Sequence, residues 1–264
     1  MNLERPRGNN HHELWRNPAE VIAKGKAELS PGEPIIERLA VAPLPLRIKH
    51  LISLTEKQIK LLELKTELGT PHIEIVKNSM FDMFVYGDKT TGEEHVAIVK
   101  GLLSEGNKQV PIRIHSSCLT AETFSASNCD CQEQLDQSLA IADREGIGGV
   151  IWLHQEGRGN GLAAKAEQLK RMIYEGMNTV EAFESMGLPS EQRDFTAAVD
   201  ILKDLGIDSV KLITNNPEKV AQTRALGINV EGLIPCIVEP INEIVRNDLR
   251  AKRDKHGHYL STDL

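Results

Sequence analysis

Residues 149–174 read GVIWLHQEGRGNGLAAKAEQLKRMIY. The stretch opens on a short apolar run ending at Leu153, passes through a polar, glycine-rich turn over 154–160, and closes on a helix-forming segment. Strand, turn and helix in that order form the repeating unit of an α/β domain. Glycines at 157, 159 and 161 let backbone N–H groups approach an anion, and Arg158 between them can hold phosphate oxygens bidentately. Taken alone, the segment fits an ordinary strand-to-helix turn equally well.

The alternation continues on both sides. A helix is predicted over 133–145 and further helices over 162–174, 179–186 and 193–205, the last ending at Gly206. A strand over 210–213 runs into Thr214-Asn215-Asn216-Pro217 and a helix over 218–226. Upstream, 73–76, 83–86, 95–100 and 110–115 read as short strands separated by turn residues. The pattern predicts an α/β protein, an α+β mixed sheet with flanking helices, with its chemistry at strand ends. A boundary is expected near residue 72. Residues 72–264 would be the catalytic domain and 1–71 an N-terminal helical extension. Within that extension 1–18 is polar and expected to be mobile, and 19–71 partly helical. The helix there opens at Thr55, and extended chain covers 35–46 around Pro43 and Pro45.

Cys118, Cys129 and Cys131, three of four cysteines, lie within RIHSSCLTAETFSASNCDC, residues 113–131. A Cys-x-Cys pair rarely forms a comfortable disulfide, but both thiolates can reach one tetrahedral Zn²⁺ from a turn, with Cys118 at a third corner. No fourth Cys or His follows at finger-like spacing, and three protein ligands with an open position is the pattern of catalytic zinc. Two other readings stay open: unrelated core cysteines, and a structural site that borrows His115.

A net charge of −7 over 264 residues argues against a general nucleic-acid binder, though local Arg and Lys can still dominate one cleft. No apolar run is long enough for a membrane span, and the first residues lack the apolar core of a secretory signal. Unpaired thiols without such a signal point to a reducing, cytoplasmic setting. Two further segments carry chemistry-bearing residues: Glu191-Gln192-Arg193-Asp194-Phe195, and Thr214 to Lys219, where Lys219 and a helix start can hold a phosphate.

From about residue 73 onward the chain resembles GTP cyclohydrolase II, the zinc enzyme that opens the imidazole ring of GTP at the start of riboflavin synthesis. The resemblance rests on RIHS before the first cysteine, the C-x10-C-x-C spacing, CDC-x-x-QL, QEGRG-x-GL, NTVEA, RDF, LITNNP-x-K and a closing GH. It implies Cys118, Cys129 and Cys131 as zinc ligands, with zinc activating water for attack on a nucleobase carbon. It implies Arg193 at the α-phosphorus with Glu191 as its neighbouring acid. It places nucleotide contacts at Arg113, Ser117, Gln134, Glu156, Gly157, Arg158, Thr179, Thr214 and Lys219, with Mg²⁺ on the phosphates and a homodimer as the assembly.

The chain also departs from that family's pattern. Ser117 stands where HSEC has its acid, and Thr120-Ala121-Glu122 replaces TGD. Gln132 replaces the glycine of CDCG, and Glu191 a shorter Asp. Gln168 or Leu169 falls where a tyrosine of the ring chemistry is expected, Tyr174 being more than a turn further on. Phosphate-handling positions are kept better than base-facing ones. That contrast leaves three outcomes open: GTP taken to the deformylated product, a stop at the formamide, or a different base such as uracil. A catalytically silent nucleotide sensor is the alternative of another class.

Overall fold

The computed structural model describes residues 32–53, 72–101, 109–240 and 242–261. The expectations for 1–31 and for the helix after Thr55 lie outside the described residues. Seven strands form one mixed sheet in the order β1-β2-β3-β5-β4-β6-β7. They are β1 (Ile36–Ser53), β2 (His72–Asp88), β3 (Glu94–Lys100), β4 (Val110–Ser116), β5 (Gly148–Leu153), β6 (Ser209–Ile213) and β7 (Asn229–Ile234). The helices are α1 (Leu119–Phe124), α2 (Cys131–Glu145), α3 (Gly161–Glu175), α4 (Thr179–Ser185), α5 (Thr196–Asp204), α6 (Pro217–Ala225) and α7 (Glu243–His256).

The sheet has two characters. β1, β2, β3 and β5 pair antiparallel, whereas β5, β4, β6 and β7 run parallel. Parallel strands need both faces covered, and the residues say so: β4 and β6 are almost wholly buried. α5 brings Ala198, Ile201 and Leu202 against Ile112, Ile114, Ile151 and Leu212. On the other side Ala142 and Leu139 of α2 join Ile48, Phe81 and Ile98.

Several elements differ from the sequence reading. Segments 73–76 and 83–86 are parts of one long strand, because β2 pairs with β1 from Ile52↔Ile73 to Ile36↔Asp88, with one register shift between Arg38 and Ala40. Residues 36–53, assigned by sequence to an extension, form the edge strand of this same sheet. Pro43 and Pro45 sit where an edge strand tolerates the missing N–H. The ribbon is tied to α2 through Asp143, which pairs with His50 Nε2 at 2.9 Å and Lys77 Nζ at 2.6 Å and accepts from Ser79. The helix expected from residue 193 starts at Thr196, leaving Arg193 on the preceding loop.

Connectivity fixes where a ligand goes. β4 leads through α1 and α2 to β5 on one side, and β6 leads through α6 to β7 on the other. Neighbouring strands whose connections diverge leave a crevice beyond their carboxyl ends. Here those ends are Ser116-Ser117-Cys118 and Thr214-Asn215-Asn216.

Gly149 sits where the sheet changes from antiparallel to parallel, paired with Val99 on β3 and Ile112 on β4. A Cβ there would stand 2.1 Å from the Ile98 carbonyl oxygen. Gly149→Ala is therefore expected to destabilise the fold by about 2–3 kcal/mol, the usual scale of overpacking. A chemical-denaturation midpoint checks this, and an unchanged midpoint would contradict the packing described.

Candidate active site at the strand crossover

The crevice is a cavity walled by the loops after β4, β5 and β6 and by α2, α3 and α7. Every residue expected as a metal ligand, a nucleotide contact or a catalytic group lines it except Glu191, which instead pairs with the lining residue Arg193.

At one end are the cysteines. The three sulfurs lie within 4.8 Å of one another, and Cys118 Sγ and Cys129 Sγ are 3.6 Å apart. Thiolates sharing a tetrahedral Zn²⁺ at ~2.3 Å stand ~3.8 Å apart, so the donor set fits that ion. Three thiols this close suppress one another's ionisation. Hydrogen bonds from Cys129 and Cys131, with Lys165 adding positive charge, hold Cys118 far below the ordinary thiol range. The bond to Cys118 pushes Cys129 up to about 12, and bonds to both partners drive Cys131 up. A divalent cation is what lets all three become thiolates together.

The supporting shell explains why these side chains converge. Cys118 follows β4 and caps α1, while Cys131 opens α2 behind Asp130. Arg113 Nε donates to His115 Nδ1 at 2.9 Å, so the ring proton sits on Nε2 and is donated to Glu122 Oε1 at 3.0 Å. Both nitrogens of His115 are thereby engaged, which removes it as a fourth ligand. Glu122 Oε1 also accepts the Cys118 backbone N–H at 2.6 Å, and Oε2 accepts Trp152 Nε1 at 2.7 Å. Glu122, one of the departures, thus anchors the first ligand.

Lys165, which the sequence reading missed, is buried and donates to Cys118 Sγ at 2.9 Å and to Glu156 Oε1 at 2.7 Å. Glu156 Oε2 accepts the backbone N–H of Leu119 at 2.7 Å. The glycine-rich loop and the cysteine loop are therefore joined by one ammonium and one carboxylate. The loop itself holds successive left-handed residues, Gly157 at φ 59°, Arg158 at 56° and Gly159 at 86°. That conformation is strained for an arginine, and the Gly157 N–H there donates to Glu156 Oε1 at 2.9 Å. A Cβ added at Gly159 would stand 3.1 Å from Gln192, too close for a side chain to be added freely.

The rest of the wall is rich in basic residues. Glu191 grips Arg193 through Nε at 2.6 Å and through Nη2, and Nη1 makes no hydrogen bond among the described residues. Lys219 is buried, donates to the Ile114 carbonyl at 2.7 Å, and is held well below its ordinary pKa by burial and by Arg193 and Arg113. Thr214 Oγ1 accepts Asn216 N at 3.0 Å, Asn215 exchanges two bonds with the Cys236 backbone, and Asn216 caps α6. Arg158 donates to the Ser190 carbonyl at 3.2 Å, and Arg113 also reaches Gln134. Thr179, at the start of α4, donates to Asp248, which binds Lys252 at 2.7 Å. Lys252 and Asp248 are also absent from the sequence reading, since an i,i+4 pair on a charged helix reads as a solvated face.

Of the charged groups in this wall, Arg113, Arg158, Lys165, Arg193, Lys219 and Lys252 face only Asp130, Glu156 and Asp248. Arg113, Arg158 and Lys219 have no carboxylate within 4.0 Å among the described residues. The remaining departures also find their places. Ser117 Oγ accepts the Gln155 backbone N–H at 3.1 Å. Gln168 is buried in the cavity wall, Leu169 does not line it, and Tyr174 is 82% exposed.

Comparison with known proteins adds to this geometry. Residues 70–235 match the family model described as GTP cyclohydrolase II. The riboflavin biosynthesis protein RibBA of Bacillus mycoides is 37% identical over 226 residues, covering 86% of this chain and 53% of that protein. RibBA of Phocaeicola vulgatus is 36% identical over 213 residues, covering 81% and 51%. The chain thus spans about half the length of these curated relatives. The solved structure of RibBX, a two domain 3,4-dihydroxy-2-butanone 4-phosphate synthase from A. baumannii, shares 16% identity at a TM-score of 0.34. It covers 84% of this chain and 44% of that one, and the likeness is too low to bear on the site.

Cys129→Ser is expected to lower bound zinc from about one ion per chain to a small residue, measured by elemental analysis after dialysis. Full retention of zinc would contradict the ligand set.

Proposed function

The chain belongs to the GTP cyclohydrolase II family, and from that premise we propose that it is a zinc-dependent cyclohydrolase that opens the base of a nucleotide, GTP first among candidates. The observation that carries the proposal is the pairing, in one crevice, of a three-sulfur cluster with three basic side chains that have no carboxylate within 4.0 Å among the described residues. Burying a cation without a counter-charge costs free energy, and a polyphosphate supplies that charge. A nucleotide carries an anionic tail and a base, and this cavity offers cations for the one and a sulfur cluster for the other.

Cys118, Cys129 and Cys131 would hold the zinc, which when bound supplies a Lewis acid able to make water nucleophilic near neutral pH. The chain's own groups do the rest. Arg113, Arg158 and Lys219 neutralise the phosphates, carried with Mg²⁺, and Arg193, whose Nη1 makes no hydrogen bond among the described residues, would engage the α-phosphorus. Glu191 fixes that guanidinium in one orientation, so its positive charge is in place before phosphate charge shifts. The fixed tautomer of His115 keeps Glu122 ionised against the pull of burial and so holds the Cys118 loop in register.

A second reading is favoured by Ser117 and Gln168. Ser117 Oγ is engaged by the Gln155 backbone, and an amide occupies the wall where the resemblance places a phenol. Exchanging a polar group that reads the substrate alters discrimination by large factors, up to ~10⁴. In this reading the ring opens but the formyl group stays, or another base is taken.

Mass spectrometry of products from the zinc-loaded protein with GTP, other purine nucleotides and uracil nucleotides separates the readings. Release of formate and pyrophosphate from GTP is the first expectation. A retained formamide, or turnover of another base alone, would establish the second reading, and binding without turnover of any nucleotide would overturn both. Arg193→Ala is expected to slow pyrophosphate release by 10²-fold or more, the scale of losing one transition-state charge. Unaltered release would reject the role given to Arg193.

A further inference from the structure

α7 ends at Gly257, in the left-handed conformation at φ 64°, and the chain then folds back over the cavity. Backbone bonds pin this strap: His258 N donates to the Lys252 carbonyl at 3.2 Å, and Tyr259 N to the Asn215 carbonyl at 2.8 Å. The second bond ties it to the turn between β6 and α6, which carries Thr214 and leads to Lys219. The strap thereby puts His258 into the cavity wall beside Arg158, Arg193 and Lys219. At its root, Arg158 Nη1 donates to His256 Nε2 at 3.2 Å. The strap lies beyond residue 235, where the match to the family model ends.

We propose that His258 is a ligand-binding residue of the anionic subsite, held there by the strap so that its imidazole hydrogen-bonds the polyphosphate of the substrate. The inference rests on the reading of the cavity as a nucleotide site and adds a residue to it. An imidazole among cations is out of place unless an anion joins them. Around it stand Lys252, Asp248 and His256 of α7, Arg158 of the glycine-rich turn, and Arg193 with Glu191 before α5. Lys219 of α6 and Asp130 before α2 complete the set. Burial, then the charges of Lys252, Arg193, Arg158 and Lys219, push the free imidazole down to about 3, so it is neutral at pH 7. An incoming polyanion reverses the sign of that field, so binding is accompanied by proton uptake on His258. His256, also pushed down by burial, contributes to the uptake, so the diagnostic quantity is a difference between variants.

The test uses the zinc-loaded full chain and inorganic tripolyphosphate with Mg²⁺, followed by calorimetry at pH 7 in buffers of different ionisation enthalpy. His258→Ala is expected to weaken binding about 10-fold or more, the loss of one charge-assisted hydrogen bond. His258→Gln keeps a donor in place and guards against a folding defect. It is expected to retain part of the affinity while losing part of the proton uptake, a change that a merely structural residue would not produce. Wild-type binding with affinity and uptake unaltered in both variants would overturn the inference alone. Absence of tripolyphosphate binding by the wild type would overturn the nucleotide reading and this inference with it.

Discussion

Arg113 and Lys219 are buried with no carboxylate within 4.0 Å among the described residues, and much of the rest of the crevice is arranged around that fact. A buried, unpaired cation is among the most costly groups a fold can hold. The protein divides that cost. Arg113 donates to His115, to Gln134 and to the Ile213 carbonyl, and Lys219 donates to the Ile114 carbonyl. Backbone and neutral side chains satisfy the donors without cancelling the charge. An acidic chain thus keeps a local positive field facing one cavity.

The same economy of partners runs through the metal end. Glu122 joins His115, Trp152 and the Cys118 backbone, and Glu156 joins Lys165 and the Leu119 backbone. Each carboxylate is placed to steer a loop that carries a thiol rather than to meet a ligand. The two loops come from the ends of β4 and β5, neighbours in the parallel half of the sheet, so a shift in either moves the cysteine cluster. Strain is stored nearby, at the left-handed Arg158.

Much of this was legible in the sequence. Strand, glycine-rich turn and helix over 149–174 set the α/β class, and spacing alone put three cysteines within reach of one ion. The site residues at strand ends were legible because loops after parallel strands converge. Lys165, Lys252 and Asp248 were not, since a charged residue inside an amphipathic helix has no local pattern that marks it, and the closing Gly257-His258 was legible only as part of the resemblance and not as a cavity residue. They enter the cavity only because α3 and α7 pack across the crevice. The long β1–β2 ribbon was hidden for a different reason: prolines and interrupted alternation read as loose extended chain until the partner strand is known.

The central claim is that Cys118, Cys129 and Cys131 alone supply the protein ligands of a zinc ion whose fourth position is open to the cavity. X-ray absorption at the zinc edge of the metal-loaded protein addresses it most directly. The account predicts three sulfur neighbours at ~2.3 Å and one light nitrogen or oxygen neighbour that exchanges with solvent or substrate. Four sulfur neighbours, or a shell showing an imidazole as the fourth ligand, would contradict it.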